Sequence, residues 1–470
     1  MRNEAAERIR VMGQASVWRL LLRFSGPTII SMMVASSYNI VDAIFVGRLG
    51  TEALAALAIV FPLMMILHAI AAGTGAGAAS LISRRLGAGD YEGASRAAGV
   101  TITISTLIAA LVTAICLPNL EALLRLFGAA GNILPLAESY MSILFTFAVL
   151  ALWPMVIITI VRAEGNPILA SAIMIVSAVT NIILDPILIF GLGPIPAMGV
   201  AGAATATVIA RALGVIILVV YFFSGKTSYR FHPSYFLPNP KVLAEIYRVG
   251  IAAIVQIAAG SIIMVFVNRT AAAFGLVPLA VVGVIFRALG FIFMPCVGIG
   301  QGMLPLVGFS FGARQMPRVG EIVIKAGIAS SAWGAMWWLI VMLFPGQVIS
   351  VFNNSPEFIE VGAQAIRIFS LLLFLIGIQI STAFFFQGIG KGLPSLVLAS
   401  ARQIIFLLPC LLILPRLLGL SGLWLSFPVA DGLSIILTLL WTGIQFRKLG
   451  IPLRWRYQYS NLEPGSPNTK

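Results

Sequence analysis

Three aspartates interrupt runs that are otherwise apolar: Asp42, Asp185 and Asp431. A carboxylate at membrane depth is costly to hold, so each calls for a proton, a cation or a counter-charge. Asp42 follows Tyr38 and Asn39. Asp185 follows Asn181 at a spacing of one helical turn, which sets both on one face. Two such carboxylates facing each other in a poorly solvated pocket can do one of two things. They can hold a proton that one face supplies and the other removes. Alternatively their oxygens, with Asn181 and a threonine such as Thr205, can ligate Na⁺. The residue types leave both open. The competing structural role is a cap on a backbone break or an arginine pair, and Asp185 precedes Pro186, which suits a turn.

Asp431 belongs to a different set. Arg287 falls at a similar depth in its own apolar run, so an Asp431–Arg287 pair is expected, with Arg402 as the alternative partner. These residues form a group of buried charges in the second half of the chain.

The elements that position these groups follow from composition. Of 470 residues, 60% are hydrophobic and 10% charged, against about 25% charged in a soluble protein. A polytopic membrane protein is the class that remains. A span needs about 20 apolar residues. Twelve runs qualify: 24–46, 53–81, 96–118, 135–161, 168–191, 199–223, 246–273, 278–306, 321–344, 364–388, 395–415 and 421–444. They are continuous and too long for lipid-spanning strands of about 10 residues, so the expected fold is all-α. Thirty Lys and Arg face sixteen Asp and Glu. The surplus gathers in the terminal segments and in alternate loops, while the other loops carry only Arg48, Arg125 and Arg416. That asymmetry predicts cytoplasmic termini in the plasma (inner) membrane. It also accounts for the positive charge without nucleic acid.

The longest polar stretch divides the spans six and six. The expected organisation is an N-terminal lobe at 1–224, a cytoplasmic linker at 225–245, a C-terminal lobe at 246–446 and a cytoplasmic tail at 447–470. The halves also resemble each other. Gly73, Gly75 and Gly77 match Gly298, Gly300 and Gly302, and Gly87-Ala88 matches Gly312-Ala313, all at one offset. Gly202 matches Gly422 at a slightly different one. Six spans per half predicts a pseudo-two-fold axis along the membrane normal. The carboxylate pair is not duplicated: Asp185 falls opposite Leu412, and Arg211 opposite Asp431.

The remaining residue types argue mainly against other functions. Cys116, Cys296 and Cys410 lack metal-ligand spacing and read as packing residues. His68, in an apolar run, reads as a hydrogen-bonded structural residue, and His232 as a loop residue. The N-terminus reads as a basic, partly amphipathic lead-in and not as a cleavable signal. No phosphate-binding loop for ATP is present. Pro27, Pro62, Pro154 and Pro295 can kink helices, and a hinge at Pro27 would move the segment bearing Asp42.

Several motifs resemble the multidrug and toxic compound extrusion (MATE) family. They are Tyr38-Asn39-Ile40-Val41-Asp42 with Phe45-Val46-Gly47-Arg48-Leu49-Gly50, the segment Leu86-Gly87-Ala88-Gly89-Asp90, the segment Asn181-Ile182-Ile183-Leu184-Asp185-Pro186, and Phe309-Ser310-Phe311-Gly312-Ala313. The likeness covers nearly the whole chain, on the prokaryotic branch of damage-inducible and archaeal members. It implies a V-shaped exporter of twelve helices in two six-helix lobes. Such a protein exchanges H⁺ or Na⁺ inward for small organic, often cationic and amphipathic, compounds outward, with no other cofactor. Asp42, Asn181 and Asp185 match the family's first-lobe cation site. Tyr38 and Tyr140 match hydroxyls around it, and Thr205 matches less closely. Branches with a coupling acid in span 7 or 10 differ, since those spans offer Gln256, Asn268, Gln379 and Gln387 here. A monomer among membrane lipids suffices for this architecture.

The rival within the same superfamily is a lipid-linked oligosaccharide or lipid flippase, kept open by Arg211, Arg287 and Arg402. An intramembrane aspartyl protease would need a Gly-x-Gly-Asp context that Asp185 lacks. A channel would show no tight dependence on a counter-ion.

Overall fold

A computed structural model describes residues 2–230 and 232–452. The expected tail at 447–470 therefore lies mostly outside the described residues. The helices in chain order are α1 (Arg2–Gln14), α2 (Val17–Gly47), α3 (Thr51–Gly87), α4 (Tyr91–Cys116), α5 (Leu120–Leu126), α6 (Ile133–Thr146), α7 (Ala148–Ala163), α8 (Pro167–Phe190) and α9 (Val200–Phe223). The second half holds α10 (Pro240–Ala273), α11 (Leu276–Gly312), α12 (Met316–Leu343), α13 (Pro345–Ser350), α14 (Pro356–Phe369), α15 (Ile376–Gly388), α16 (Gly392–Ser400) and α17 (Leu408–Leu449). A π-helical turn at Ala401–Leu407 joins α16 to α17.

Nine of the described helical segments are long and apolar enough to cross a membrane singly. Two more spans are bent pairs, α6 with α7 at 57° and α14 with α15 at 40°. The stretch Ala401–Leu449 counts as one segment of 49 residues. At 1.5 Å per residue it would reach roughly twice the ~30 Å hydrocarbon core. It is in fact two spans, because Gly419 (φ 62°, ψ −142°) breaks the helix. The total is twelve, in two lobes of six.

The cores show how the lobes meet. One apolar cluster takes Leu20, Leu81, Ile82 and Val156 from the first lobe and Ile246, Met303, Val307 and Phe385 from the second. Two others stay within single lobes. One gathers Val46, Ala56, Tyr140 and Ala204, and the other gathers Val281, Phe369, Trp424 and Phe427. The shared cluster lies toward the face that holds α1 and the end of α17, called here the terminal face. The separate clusters lie toward the opposite face. Two lobes joined at one end and individually cored at the other make a V whose cleft opens away from the terminal face.

Glycines permit the joint. A methyl group at Gly77 would strike the Ile246 carbonyl of α10, and one at Gly73 would strike that of Gly250. On the other side of the axis, Gly298 abuts Ile29 and Gly302 abuts Ser25, both of α2. Gly87 meets the Phe309 carbonyl while its repeat partner Gly312 meets that of Arg84. The glycines that match between the halves thus do matching work. Polar ties add to this: Arg162 Nη1 donates to Gln301 Oε1 (2.7 Å), and Ser80 Oγ to the Gln387 carbonyl.

The basic lead-in is a helix that ties the terminal face together. Arg8 of α1 donates to the Tyr221 hydroxyl (3.1 Å) and the Lys226 carbonyl (2.5 Å). Arg318 at the start of α12 donates to the carbonyls of Met12 (2.9 Å) and Ala15 (2.7 Å). Tyr221 in turn donates to buried Glu164, which also accepts from Thr227 Oγ1 (2.8 Å) and the Ser228 amide (2.8 Å). The helix α1 therefore touches both lobes and the loop between them.

The joint yields a prediction. Gly77→Val should wedge α3 from α10 and cost about 1–3 kcal/mol, as overpacking does. Gly283→Val, where a new Cβ meets nothing within 4 Å, serves as the control. A thermal-unfolding midpoint lowered by several degrees in the first variant only is the expected result. Equal midpoints would show that the lobes do not depend on this approach.

Candidate functional site

The helix α2 packs along α8, and α8 along α9. This brings Asp42 and Asp185 to one place in the half of the first lobe that faces the open end. Asp185 is fully buried and Asn181 nearly so. The Asn181 side-chain amide donates to Asp185 Oδ1 (3.2 Å) and to Thr207 Oγ1 (3.4 Å). Asp42 lies within electrostatic reach of Asp185. Buried Tyr140, from α6, feels Asp42, Arg211, Tyr38 and Asp185.

The polar accounting is unbalanced. Asp42 Oδ1, Asn181 Oδ1 and Asp185 Oδ2 are all buried with no hydrogen-bond partner. Each is an acceptor when the carboxyls are ionised. Buried acceptors without donors are expensive, and two adjacent carboxylates cannot both stay ionised without compensation. Protonating one carboxyl turns an orphan acceptor into a donor. A cation shared by the three oxygens solves the same problem. Either change would satisfy the three oxygens.

Of the residues expected from sequence, Asp42, Asp185, Asn181, Tyr38 and Tyr140 come together. Thr205 does not join Asn181. Its hydroxyl donates back to the Ala201 carbonyl of its own helix (2.8 Å), and Thr207 meets Asn181 instead. The two threonines sit about 200° apart around α9. Sequence spacing along α9 does not reveal which side faces α8. Asn39 also stays out, its amide donating to the Ala35 carbonyl (2.9 Å). Pro27 lies inside α2, which continues as one helix to Gly47.

The expected Asp431–Arg287 pair is corrected by the structure. Arg402 Nε donates to Asp431 Oδ1 at 2.6 Å. Arg287 makes no ion pair among the described residues. Its neighbour Phe286 takes the face toward Phe427 of α17 (ring centroids 6.0 Å apart) and Phe369 (5.8 Å). One residue on, Arg287 is turned roughly 100° aside. His68 is placed within electrostatic reach of Arg211, an association that no spacing in the sequence announced. The thiol of Cys296 is a packing group beside the Ser330 carbonyl (3.7 Å).

The threonine contact is testable. Thr207→Val should destabilise the folded protein by about 1–3 kcal/mol, the cost of leaving a buried amide donor unpaired. Thr205→Val should cost less than half as much, because that hydroxyl serves only its own helix. Thermal unfolding of both variants in one detergent decides it; the reverse ranking would mean that Thr205 is the partner.

Comparison with known proteins agrees with the two-lobed geometry. The MatE family model matches twice, over residues 27–187 and 249–412, once in each lobe. The chain is similar to the multidrug export protein MepA of Staphylococcus aureus (strain MSSA476), with 28% identity over 440 residues, covering 92% of this chain and 95% of the relative. It is also similar to a solved outward-facing conformation of a multidrug resistance MATE family transporter of the MOP superfamily, with 30% identity and a TM-score of 0.86, covering 93% of this chain and 98% of that one. A third likeness is to a MOP superfamily transporter from Pyrococcus furiosus whose description reads reverse polarity of the binding pocket as a sign of a different function (29% identity, TM-score 0.87, covering 94% and 98%). With twelve spans in two lobes and a family match in each, this multi-pass membrane protein belongs to the MatE family.

Proposed function

We propose that this protein is a secondary active multidrug exporter. It moves small organic, amphipathic and mainly cationic compounds out of the cell and is driven by H⁺ or Na⁺ entering. The observation that carries the reading is the set of unpaired acceptor oxygens on Asp42, Asn181 and Asp185. A site that must bind positive charge, placed beside a cleft, can couple an ion to a cationic compound if the two compete for it. Relatives described as multidrug exporters support the choice of substrate.

Orientation follows from charge. The terminal face carries the basic segments, so the positive-inside rule makes it cytoplasmic. The cleft then opens outward in the structure described here. Substrate release and ion entry would share that opening. Closing the cleft and parting the joint at the terminal face would complete the cycle, with Pro27 of α2 as the hinge that shifts Asp42.

Asp42 and Asp185 have distinct surroundings. Asp185 is held by Asn181, whereas Asp42 sits on α2, beyond the candidate hinge at Pro27. In this reading Asp185 anchors the ion and Asp42 responds to it. Tyr38 and Tyr140 supply hydroxyls beside the pair.

The test uses proteoliposomes and a fluorescent organic cation, under a pH gradient and then under a Na⁺ gradient. One gradient should drive accumulation, naming the ion. Asp42→Asn and Asp185→Asn should each abolish that accumulation in protein that still runs as a folded monomer. Parent-like transport by both variants would rule out the pair as the coupling site. If the parent itself moves no cation under either gradient, the exporter reading fails and lipid-linked substrates become the ones to assay.

A further inference from the structure

The second lobe contains polar groups that the first-lobe site does not use. Helix α15 and the limb of α17 after Gly419 run in the same direction and are tied twice. Gln379 Nε2 donates to Ser434 Oγ (2.5 Å) at mid-depth. Nearer the terminal face, the Phe385 and Phe446 rings meet edge to face at 5.3 Å. At 100° per residue, Asp431, Ser434, Thr438 and Gln445 fall on one narrow stripe of α17. Leu433, Ile436 and Leu440 take the opposite, exposed side.

Between the paired residues Asp431 and Ser434 and the terminal face, the polar atoms of this stripe are not paired. Thr438 Oγ1, Gln445 Nε2 and, from α15, Gln387 Oε1 are buried without a hydrogen-bond partner. Unpaired polar atoms inside a protein are costly. These are a donor (Gln445), an acceptor (Gln387) and a hydroxyl that can serve as either (Thr438). Such a mixture suits a chain of waters, each of which takes about three hydrogen bonds.

The mid-depth end of the stripe is the Arg402–Asp431 pair. Its side chains are 26% and 16% exposed, although they point between helices. The Arg402 guanidinium lies over the Phe293 ring of α11 at 5.8 Å. Arg402 is the charged group that faces Asp431; α11 offers Phe293, and α15 offers Gln379 through Ser434. The π-helical turn inserts an extra residue into the helix that carries Arg402, a feature often found at functional sites. The other end lies at the joint between lobes, where the Gln387 carbonyl accepts from Ser80 of the first lobe.

We propose that the C-terminal lobe contains a hydrated polar path, running from the terminal face past Gln387, Gln445 and Thr438 to the Arg402–Asp431 pair, along which water and protons reach Asp431. The path is separate from the Asp42–Asp185 cluster and approaches from the opposite face. It stands or falls independently of the ion that drives export.

The test reads water access directly and needs no transport. Cys116, Cys296 and Cys410 are replaced by alanine. Single cysteines are then placed as Thr438→Cys, Gln445→Cys and Leu440→Cys, with Ser434→Cys as a second mid-path reporter should Thr438→Cys misfold. Membrane vesicles of each orientation are treated with a small, water-soluble, membrane-impermeant methanethiosulfonate, which reacts with the thiolate and so needs water at the site. Thr438→Cys and Gln445→Cys should react at least about tenfold faster than the lipid-facing Leu440→Cys, and from the terminal side. Adding Gln445→Leu should slow the reaction at Thr438→Cys. Folded Thr438→Cys and Ser434→Cys proteins as inert as Leu440→Cys would overturn the proposal. So would reaction from the opposite face alone.

Discussion

The closeness of backbone to backbone between the lobes underlies this architecture. Side chains would hold α3 away from α10 and α2 away from α11; glycine lets backbone atoms of the facing helix crowd the place where a Cβ would otherwise be. Gly73 and Gly77 do this on one side of the axis, Gly298 and Gly302 on the other. All of these contacts fall in the half nearer the terminal face. Toward the other face the lobes keep separate apolar cores. The V shape follows from where the glycines are.

The two lobes use that frame asymmetrically. The first places two carboxylates and an asparagine beside each other with three acceptor oxygens unsatisfied. Nearby positive charge comes from Arg211, close enough to act on Tyr140 but not hydrogen-bonded to the carboxylates. The second lobe pairs its lone intramembrane acid, Asp431, with Arg402. An unpaired acceptor cluster takes up charge, whereas a closed ion pair conserves it. The same helical scaffold thus carries an electrostatically open site in one half and a nearly neutral one in the other.

Much of this was legible in the residues, for identifiable reasons. Spans are readable because lipid demands long apolar runs. The repeat is readable because glycines at close approaches tolerate little substitution in kind: Gly202 abuts the Leu188 carbonyl and Gly422 that of Leu414, each at the turn before its lobe's last span. Asp42, Asn181 and Asp185 are readable because polar groups in such runs are rare. Rotational register is what a single helix does not disclose. Thr205 and Thr207 are equally plausible on paper, and only the packing of α9 against α8 selects one. Arg287 and Arg402 differ in the same way, Phe286 having taken the face that Arg287 would need. The role of α1 was hidden for another reason: its partners Tyr221, Lys226 and Arg318 lie far along the chain.

That last separation has a consequence for biosynthesis. Helix α1 precedes every span, yet its carbonyls at Met12 and Ala15 wait for Arg318, 306 and 303 residues later. Eight spans lie between these partners, and Arg8 meets Tyr221 and Lys226 only once the sixth is made. Contacts closed over such distances form late. A segment that precedes every span is therefore among the last to be fully secured, and it is the growing second lobe that closes its contacts.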